Sequence, residues 1–215
     1  MDSATVIRVL CVDDHPLMRA GIRATLEGQP GILLVAEAAD GPAAIAAHRE
    51  HRPDITLMDL QMSGMNGIEA IQAIRSEFPA ARVIVLTTYD GDVQVTRALK
   101  AGASGYLLKS MLRHDLLRAI HTVHAGRRSL PPEIAVQLSG YIDAAPLTPR
   151  EVEVLSILSA GNSNKVVADK LRITEDTVKG HVSSIMSKLQ ANDRTHAVLI
   201  AMRRGFLDLW RSHER

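Results

Sequence analysis

The stretch that decides the fold of the first half is IRVLCVDDHP, residues 7–16. A mostly apolar run ends there in two adjacent carboxylates, Asp13 and Asp14. The pattern recurs at ITLMD, residues 55–59, where Asp59 ends the run. Short apolar runs closed by polar side chains are typical of parallel strands that are buried on both faces.

The same kind of run alternates with helical periodicity as far as His124. The strand-like runs are Ile7–Val12, Leu33–Glu37, Ile55–Met58, Val83–Leu86 and Gly105–Leu108. The helical patterns lie around Leu17–Leu26, Pro42–Arg49, Gly67–Glu77, Val93–Ala101 and Leu112–His124. Five such units predict an α/β fold, a (βα)5 doubly wound parallel sheet whose functional site lies at the carboxyl ends of the strands.

The chain has 215 residues, a length that suits two domains. We predict a first domain over residues 5–124, a linker over 125–146 and a small all-α domain over 147–211. Proline and glycine interrupt the linker, which can still hold a short helix within Pro132–Tyr141.

Composition narrows the class of protein. Aromatic residues make up 3% of the chain, which disfavours single-stranded nucleic-acid binding by stacked rings. From Leu147 onward there are 11 Lys and Arg against 8 Asp and Glu, and the rest has 14 against 16. An acidic front and a basic back fit a regulatory domain joined to a polyanion binder, although imbalances this small also arise by chance.

The start of the chain and its single cysteine exclude other classes. Cys11 stands alone, so no internal disulfide or thiolate zinc site is expected, and its apolar run predicts a buried inert thiol. Residues 1–4 do not resemble a signal peptide, and no apolar stretch is long enough to span a bilayer. We therefore expect a cytoplasmic protein without a membrane segment.

The strand ends predict an acidic pocket. Asp13, Asp14 and Asp59 should meet in one crevice, where like charges repel unless a cation such as Mg²⁺ lies among them. Thr87 and Lys109 end the fourth and fifth runs and add a hydroxyl and a positive charge. A single strand-end Asp is usually a loop or cap residue and a single Lys is usually solvated, but the whole set in this order favours a functional site.

These residues lie in segments that resemble response-regulator receiver domains, over about Ile7–His124. The segments are Val12-Asp13-Asp14-His15-Pro16, Leu57-Met58-Asp59-Leu60-Gln61-Met62, Leu86-Thr87-Thr88-Tyr89 and Gly105-Tyr106-Leu107-Leu108-Lys109. The resemblance implies that Asp59 accepts a phosphoryl group from a sensor histidine kinase. It also implies that Asp14, Asp59 and the backbone carbonyl of Gln61 ligate Mg²⁺, with Asp13 acting through water.

The resemblance also implies a switch. Thr87 would bond the phosphoryl group, Lys109 would pair with it, and Tyr106 matches an aromatic position that reorients on activation. A half-buried strand aromatic is the alternative for Tyr106. One departure is Ser63, which follows Met62 where the family usually has proline; we expect altered phosphorylation or dephosphorylation kinetics rather than lost function.

The second domain begins with a capping box. Thr148 is the expected N-cap, Pro149 suits the first helical position and Glu151 the third, so a helix should run to Ala160. The remaining predicted helices are about Lys165–Leu171, Glu175–Leu189 capped by Thr174, and Asp193–Arg204. Two helices joined by a tight turn predict a helix-turn-helix.

The third of these helices has two distinct faces. An apolar stripe, which should be core, comprises Val178, Val182, Ile185, Met186 and Leu189. The small polar face comprises Lys179, Gly180, Ser183, Ser184 and Ser187. This face suits a major groove, although an ordinary solvated helix would look the same.

Residues 147–205 resemble LuxR-type DNA-binding domains. The resemblance rests on Leu147-Thr148-Pro149-Arg150-Glu151, Gly161-Asn162-Ser163-Asn164-Lys165, Ile173-Thr174-Glu175-Asp176-Thr177-Val178-Lys179-Gly180-His181-Val182 and Lys188-Leu189. Joined to a receiver, this is the NarL/FixJ architecture. It implies that Lys179 and Ser183 face double-stranded DNA, that Asn164, Lys165, Thr177 and Lys188 lie near phosphates, and that the active form is a homodimer. Gly180 suggests a close backbone approach to DNA, or simply tolerance.

Three functions compete on this basis. The leading one is a phosphorylation-controlled transcription regulator, which is not an enzyme. A phosphotransferase or phosphatase with an Asp nucleophile often needs a second Asp two residues on, where this chain has Gln61. A DNA-binding protein whose first domain serves only as an interaction module is disfavoured by Thr87 and Lys109 beside the acids.

Overall fold

The structure is a computed structural model that describes residues 6–88, 92–130 and 147–207. The chain forms two compact units, a first that holds the sheet and a second that is helical. Each is described by itself. Most of the predicted linker, including the helix suggested within Pro132–Tyr141, lies outside the described residues.

The first unit is built on five parallel strands in the order β2-β1-β3-β4-β5. The strands are β1 (Ile7–Val12), β2 (Ile32–Ala38), β3 (Ile55–Asp59), β4 (Val83–Thr87) and β5 (Gly105–Leu108). This is the doubly wound topology predicted from the apolar runs. The order steps back from β2 to β1 and then proceeds through β3, so the carboxyl ends of β1 and β3 lie side by side next to the reversal.

Helices connect successive strands. They are α1 (Pro16–Leu26), α2 (Gly41–His51), α3 (Gly67–Glu77), α4 (Asp92–Lys100) and α5 (Leu112–His124), the last preceded by a 3₁₀ turn over Lys109–Met111. Local chemistry sets where two of them start. The carboxylate of Asp40 accepts from the Ala43 amide at 2.7 Å, and Asn66 and Glu69 form a reciprocal capping box.

The core of this unit is aliphatic, as the low aromatic content requires. One cluster of core residues lies between the sheet and the helices α1 and α5, and its members include Val9, Ile22, Leu57, Ile84 and Ile120. Cys11 belongs to it and is fully buried. Burial first, and then the nearby charge of Asp13, raises the pKa of its thiol to about 12, in keeping with the inert thiol that was predicted.

The second unit packs four described helices around its own core. They are α6 (Pro149–Ser159), α7 (Asn164–Leu171), α8 (Glu175–Leu189) and α9 (Arg194–Arg204). The predicted capping box of Thr148 and Glu151 is present, and Thr174 caps α8 as expected. None of the helices in the described ranges combines the length and the apolar character that crossing a membrane requires.

Candidate functional site

Two buried carboxylates and one ammonium group meet at the carboxyl edge of the sheet. Asp13 follows β1 and is 0% exposed, Asp59 ends β3 and is 1% exposed, and Lys109 follows β5. Lys109 Nζ lies 2.7 Å from Asp13 Oδ2 and 2.8 Å from Asp59 Oδ2. The ammonium therefore offsets two like charges that could not otherwise share a dry site.

The other oxygens of this pair are held by backbone amides. The Gln61 amide donates to Asp59 Oδ1 at 3.2 Å, and the His15 amide donates to Asp13 Oδ1 at 2.9 Å. Both contacts join residues two apart, so each carboxylate is fixed by the loop that follows its own strand. Asp59 thus presents a carboxylate of defined orientation.

Burial raises the pKa of Asp59 above its usual range, and the charge of Asp13 acts in the same direction. Lys109 and the Gln61 amide oppose this rise without cancelling it. Burial alone would lower the pKa of Lys109, but its contacts with the carboxylates of Asp13 and Asp59 raise that pKa instead. A carboxylate with a raised pKa retains proton affinity and hence nucleophilic character.

Asp14 and His15 complete a cluster suited to a metal ion. Ligand atoms of Asp13, Asp14, His15 and Asp59 all lie within 4.8 Å of one another. His15 Nδ1 is 2.7 Å from Asp14 Oδ1 and 3.4 Å from Asp13 Oδ1, with its side chain 70% exposed. Sequence reasoning assigned His15 no role, although it directly follows the acid pair.

The oxygens of the cluster are compatible with a hard divalent cation. Asp13 Oδ2 and Asp14 Oδ1 are buried, yet neither makes a contact with hydrogen-bond geometry. Asp13 Oδ2 lies 2.7 Å from Lys109 Nζ and Asp14 Oδ1 lies 2.7 Å from His15 Nδ1, but neither contact is aligned as a hydrogen bond. Under-coordinated carboxylate oxygens at one edge of a sheet fit the oxygen ligands that Mg²⁺ prefers.

Two arginines of α1 and the carboxylate of Glu37 lie behind Asp13. Arg19 of α1 donates from Nη1 to the Asp13 carbonyl at 2.7 Å and lies 3.6 Å from Glu37. Arg23 binds the same carboxylate through two bonds of 2.6 and 2.8 Å. The bond from Arg23 is the main cause that lowers the pKa of Glu37, and burial opposes it. Sequence reasoning missed Arg19, whose partners lie on other elements.

Thr87 and Tyr106 lie near the pocket on adjacent strands. Thr87 ends β4 and is 2% exposed, and it pairs in register with Leu108, next to Lys109. Tyr106 is fully buried rather than half-buried, and its amide donates to the Ser129 carbonyl at 2.8 Å. Ser129 therefore lies along β5, although it falls within the predicted linker.

The loop after Asp59 passes very close to α3. A Cβ placed on Gly67 would lie 2.0 Å from the Asp59 carbonyl oxygen and 2.8 Å from Leu60 Cα. Only glycine allows this approach of the α3 N-terminus to the acceptor strand. Ser63 lies exposed in the same loop, and Gly64 has a φ of +74°.

In the second unit, α8 has the two faces that were expected, with one exception. Lys179, Gly180 and Ser183 are exposed, as is Thr177 near the start of the helix. Ser184 instead points inward, and its hydroxyl donates to Glu151 at 2.6 Å. The prediction that Ser184 belongs to the open polar face was therefore wrong, because this serine lies on the side of α8 that packs against α6.

The other residues expected near phosphates differ in their surroundings. Lys165 is exposed at the start of α7, beside the half-buried Asn164. Lys188 is half-buried, and its ammonium lies 2.7 Å from Glu151 Oε2. Lys179 also has a carboxylate partner, at 2.8 Å from Asp176 Oδ1, but both of these side chains are exposed.

Glu151 collects three bonds on one buried carboxylate. It accepts from the Thr148 amide at 2.7 Å, from Ser184 and from Lys188, and so ties the start of α6 to α8. Burial alone would raise its pKa, but Lys188, then Ser184 and Thr148, lower the pKa to about 2. These bonds hold α8, the second helix of the helix-turn-helix, against α6.

Known proteins share both halves of the chain. The family described as "Response regulator receiver domain" matches residues 9–121, and "Bacterial regulatory proteins, luxR family" matches residues 145–201. The transcriptional regulatory protein LnrK of Bacillus subtilis is 39% identical, over 93% of this chain and 98% of LnrK. The response regulator VraR of Staphylococcus aureus is also 39% identical, over 94% and 99%.

A solved structure agrees with these family matches. The response regulator RcsB, in a structure of its complex with DNA, is similar with a TM-score of 0.69 and 28% identity, over 93% of this chain and 99% of RcsB. Sequence matches across both halves and a fold match over nearly the whole chain agree with one another. The chain therefore belongs to the two-component response regulators that join a receiver domain to a LuxR-type DNA-binding domain.

Proposed function

We propose that Asp59 accepts a phosphoryl group from a phosphohistidine of a sensor histidine kinase, and that this modification controls DNA binding by the second unit. The observation that supports the proposal most is the setting of Asp59. Its carboxylate is almost fully buried, one oxygen is bonded to Lys109 and the other to the Gln61 amide, and Asp13 lies within reach of the same ammonium.

The chemistry follows from this setting. A carboxylate oxygen of Asp59 attacks phosphorus, the bond from phosphorus to the donor imidazole nitrogen breaks, and that nitrogen keeps the electron pair and takes up a proton. Lys109 stabilises the charge on the transferred group, and burial keeps competing water away. The acyl phosphate is reactive, which suits a reversible signal.

Asp14, Asp59 and the Gln61 carbonyl would hold Mg²⁺, with Asp13 positioning it through water. The ion would neutralise phosphoryl oxygens during transfer. His15 would have to release Asp14 for the ion to bind, because its Nδ1 lies 2.7 Å from Asp14 Oδ1. Since that imidazole is mostly exposed, it can turn toward solvent without breaking packing.

The new phosphoryl group would bring roughly −1.5 to −2 charges into the pocket. Thr87 would donate its hydroxyl to it and Lys109 would pair with it. Tyr106 adjoins Leu107, the residue of β5 that pairs with Leu86 of β4. Movement at the end of β4 can therefore reach the buried ring of Tyr106. Two discrete packings of Thr87 and Tyr106 would form the switch.

In the second unit, α8 would enter the major groove. Lys179, Gly180 and Ser183 would face the bases, and Asn164, Lys165, Thr177 and Lys188 would lie near phosphates. Because Lys188 is held by Glu151, we expect its contribution to be smaller than that of Lys179. A homodimer would set two copies of α8 about one DNA turn apart on paired half-sites.

We also propose that the protein is not an enzyme with sustained turnover. Gln61 stands where Asp-dependent phosphatases and phosphotransferases often carry a general acid. Its side-chain carboxamide is not an acid, and its backbone amide orients Asp59. Without that acid, release of the phosphoryl group to water should be slow.

The test is treatment of the full chain with a small phosphodonor and Mg²⁺, followed by intact-mass analysis. We expect one phosphoryl group per chain on the wild type and none on Asp59→Asn, with Asp54→Asn, a control at an acid outside the pocket, labelled like the wild type. Continuous phosphate release would favour a hydrolase. No labelling at all would favour a receiver that serves only as a protein-interaction module.

A further inference from the structure

The exposed face of α8 carries one carboxylate, Asp176, in the first turn of the helix. Because successive helical residues are 100° apart, Asp176, Gly180, Ser183 and Ser187 lie within an arc of about 60°. All four are exposed, whereas Val178 on the far side is fully buried. The surface that α8 offers to a groove is therefore small and polar, with a single acid at its N-terminal end.

This acid is paired with the cation expected to bind DNA. Lys179 Nζ lies 2.8 Å from Asp176 Oδ1, and the two side chains are 63% and 88% exposed. So exposed a pair contributes little to stability, and a favourable charge at the start of the helix is already supplied by Glu175. Stability therefore does not explain why Asp176 occupies the reading face.

We propose that Asp176 determines sequence specificity by selecting cytosine in the major groove, an inference that rests on the proposed DNA binding by α8. In a helix-turn-helix, residues near the N-terminus of the second helix contact base edges. An ionised carboxylate only accepts hydrogen bonds, and the N4 amino group of cytosine is the donor that Asp and Glu recognise.

Asp176 and Lys179 supply a hydrogen-bond acceptor and a hydrogen-bond donor side by side. The carboxylate accepts from cytosine, while the ammonium, which only donates, suits O6 and N7 of guanine. Since the two groups lie 2.8 Å apart, the element they read has cytosine and guanine edges close together in the groove. Gly180 and Ser183 beside them leave the backbone room to approach the bases.

The same carboxylate acts against other sequences. At a site without a cytosine amino group, Asp176 is left beside acceptor atoms and phosphates, and its charge is not compensated. It also competes with phosphates for Lys179. Removal of Asp176 should therefore tighten non-specific binding while it weakens discrimination.

The experiment is selection of duplexes from a randomised pool by the full chain treated with phosphodonor, at one fixed salt concentration. The variants are Asp176→Ala and, as the matched control, Glu175→Ala, which removes the neighbouring acid from the same helical turn. We expect the wild type and Glu175→Ala to share a cytosine at one position of each half-site. Asp176→Ala should lose that preference, by about 5- to 150-fold in relative affinity.

An atomic substitution then separates contact from general repulsion. Replacement of the selected cytosine by 2-pyrimidinone, which lacks the 4-amino group, should weaken the wild type strongly and Asp176→Ala much less. The same selected sequence with equal discrimination in Asp176→Ala would overturn the inference. Failure of the wild type to bind any duplex would instead count against the proposed DNA binding itself.

Discussion

Lys188 Nζ lies 2.7 Å from Glu151 Oε2, an ion pair between residues 37 positions apart in the chain. It joins the first turn of α6 to the last turn of α8. The same carboxylate caps α6 through the Thr148 amide and accepts from Ser184, so one buried acid fixes the orientation of α8.

Glu151→Gln should lower the free energy of unfolding of the second unit by roughly 3 kcal/mol, because a buried charge partner is removed while its surroundings stay polar. Glu153→Gln is the control, since Glu153 is an exposed acid of the same helix paired with Arg150, and it should change stability by less than about 0.5 kcal/mol. Urea unfolding followed by circular dichroism gives both values. Equal losses for the two variants would contradict the assignment.

This difference should depend on pH. Because the pKa of Glu151 is lowered to about 2 from an ordinary value of 4.5, its stabilisation is fully present above pH 4.5 and is lost as the pH falls toward 2. The gap in unfolding free energy between wild type and Glu151→Gln should shrink between pH 7 and pH 3. A constant gap over that range would show that the bonds do not depend on the ionised carboxylate.

Lys179 and Lys188 should differ in their effect on DNA binding. Lys179→Met should reduce the slope of log affinity against log salt by up to about 0.9, the value for one neutralised phosphate, because the exposed Lys179 ammonium brings a positive charge into the groove and displaces counterions there. Lys188→Met should change the slope less, since Glu151 already holds that ammonium. Affinity measured across a series of salt concentrations compares the two variants, and equal slope changes would show that the ion pair with Glu151 does not reduce the contribution of Lys188.

Lys109→Met should make stability depend on metal. Without the ammonium, the carboxylates of Asp13 and Asp59 repel each other in a buried site, and the free energy of unfolding should fall by about 3 kcal/mol. A saturating concentration of Mg²⁺ should restore much of that loss and should stabilise the wild type less. Equal stabilisation of both proteins by Mg²⁺ would argue against compensation of the Asp13 and Asp59 charges by the Lys109 ammonium.

Gly67→Ala should destabilise the first unit and slow phosphorylation of Asp59. The added methyl group would overlap the Asp59 carbonyl oxygen, so the acceptor strand or α3 must move. Gly21→Ala is the matched control: this exposed glycine of α1 has no atom within 4 Å of an added Cβ, and the change should stabilise by about 0.5–1 kcal/mol. Thermal unfolding and the rate of labelling should separate the two variants.

Ser63→Pro should change the lifetime of the acyl phosphate. Proline would restrict φ at an exposed position of the loop between Asp59 and α3 and would remove an amide donor. The decay of phosphorylated protein after removal of the donor measures the lifetime. An unchanged lifetime would remove the idea that Ser63 tunes the signal.

The fold could be predicted because its signals are local. The strand-like runs agree with β1 to β5 to within a residue, since continuous apolar runs leave few alternatives in a parallel sheet. The caps at Thr148 and Thr174 were likewise readable, because a cap and its partner lie three residues apart.

What sequence reasoning missed depends on tertiary geometry. Arg19 of α1 donates to the carbonyl of Asp13, after β1, and contacts Glu37 in β2. No spacing in the sequence predicts that these residues are close together. Ser184 was predicted to lie on the exposed face because helical periodicity does not show how wide a face of α8 is covered by α6. His15 was missed although it directly follows Asp13 and Asp14, because a single exposed histidine does not usually indicate a functional site.

The most direct test of the central claim is the affinity of the full chain for its preferred duplex with and without phosphodonor, at fixed salt and Mg²⁺. We expect phosphodonor to tighten binding by wild type by at least about tenfold, a coupling within the usual range for allosteric proteins, and to leave Asp59→Asn unchanged. Equal affinity of the phosphorylated and unphosphorylated wild type would contradict control of DNA binding by Asp59.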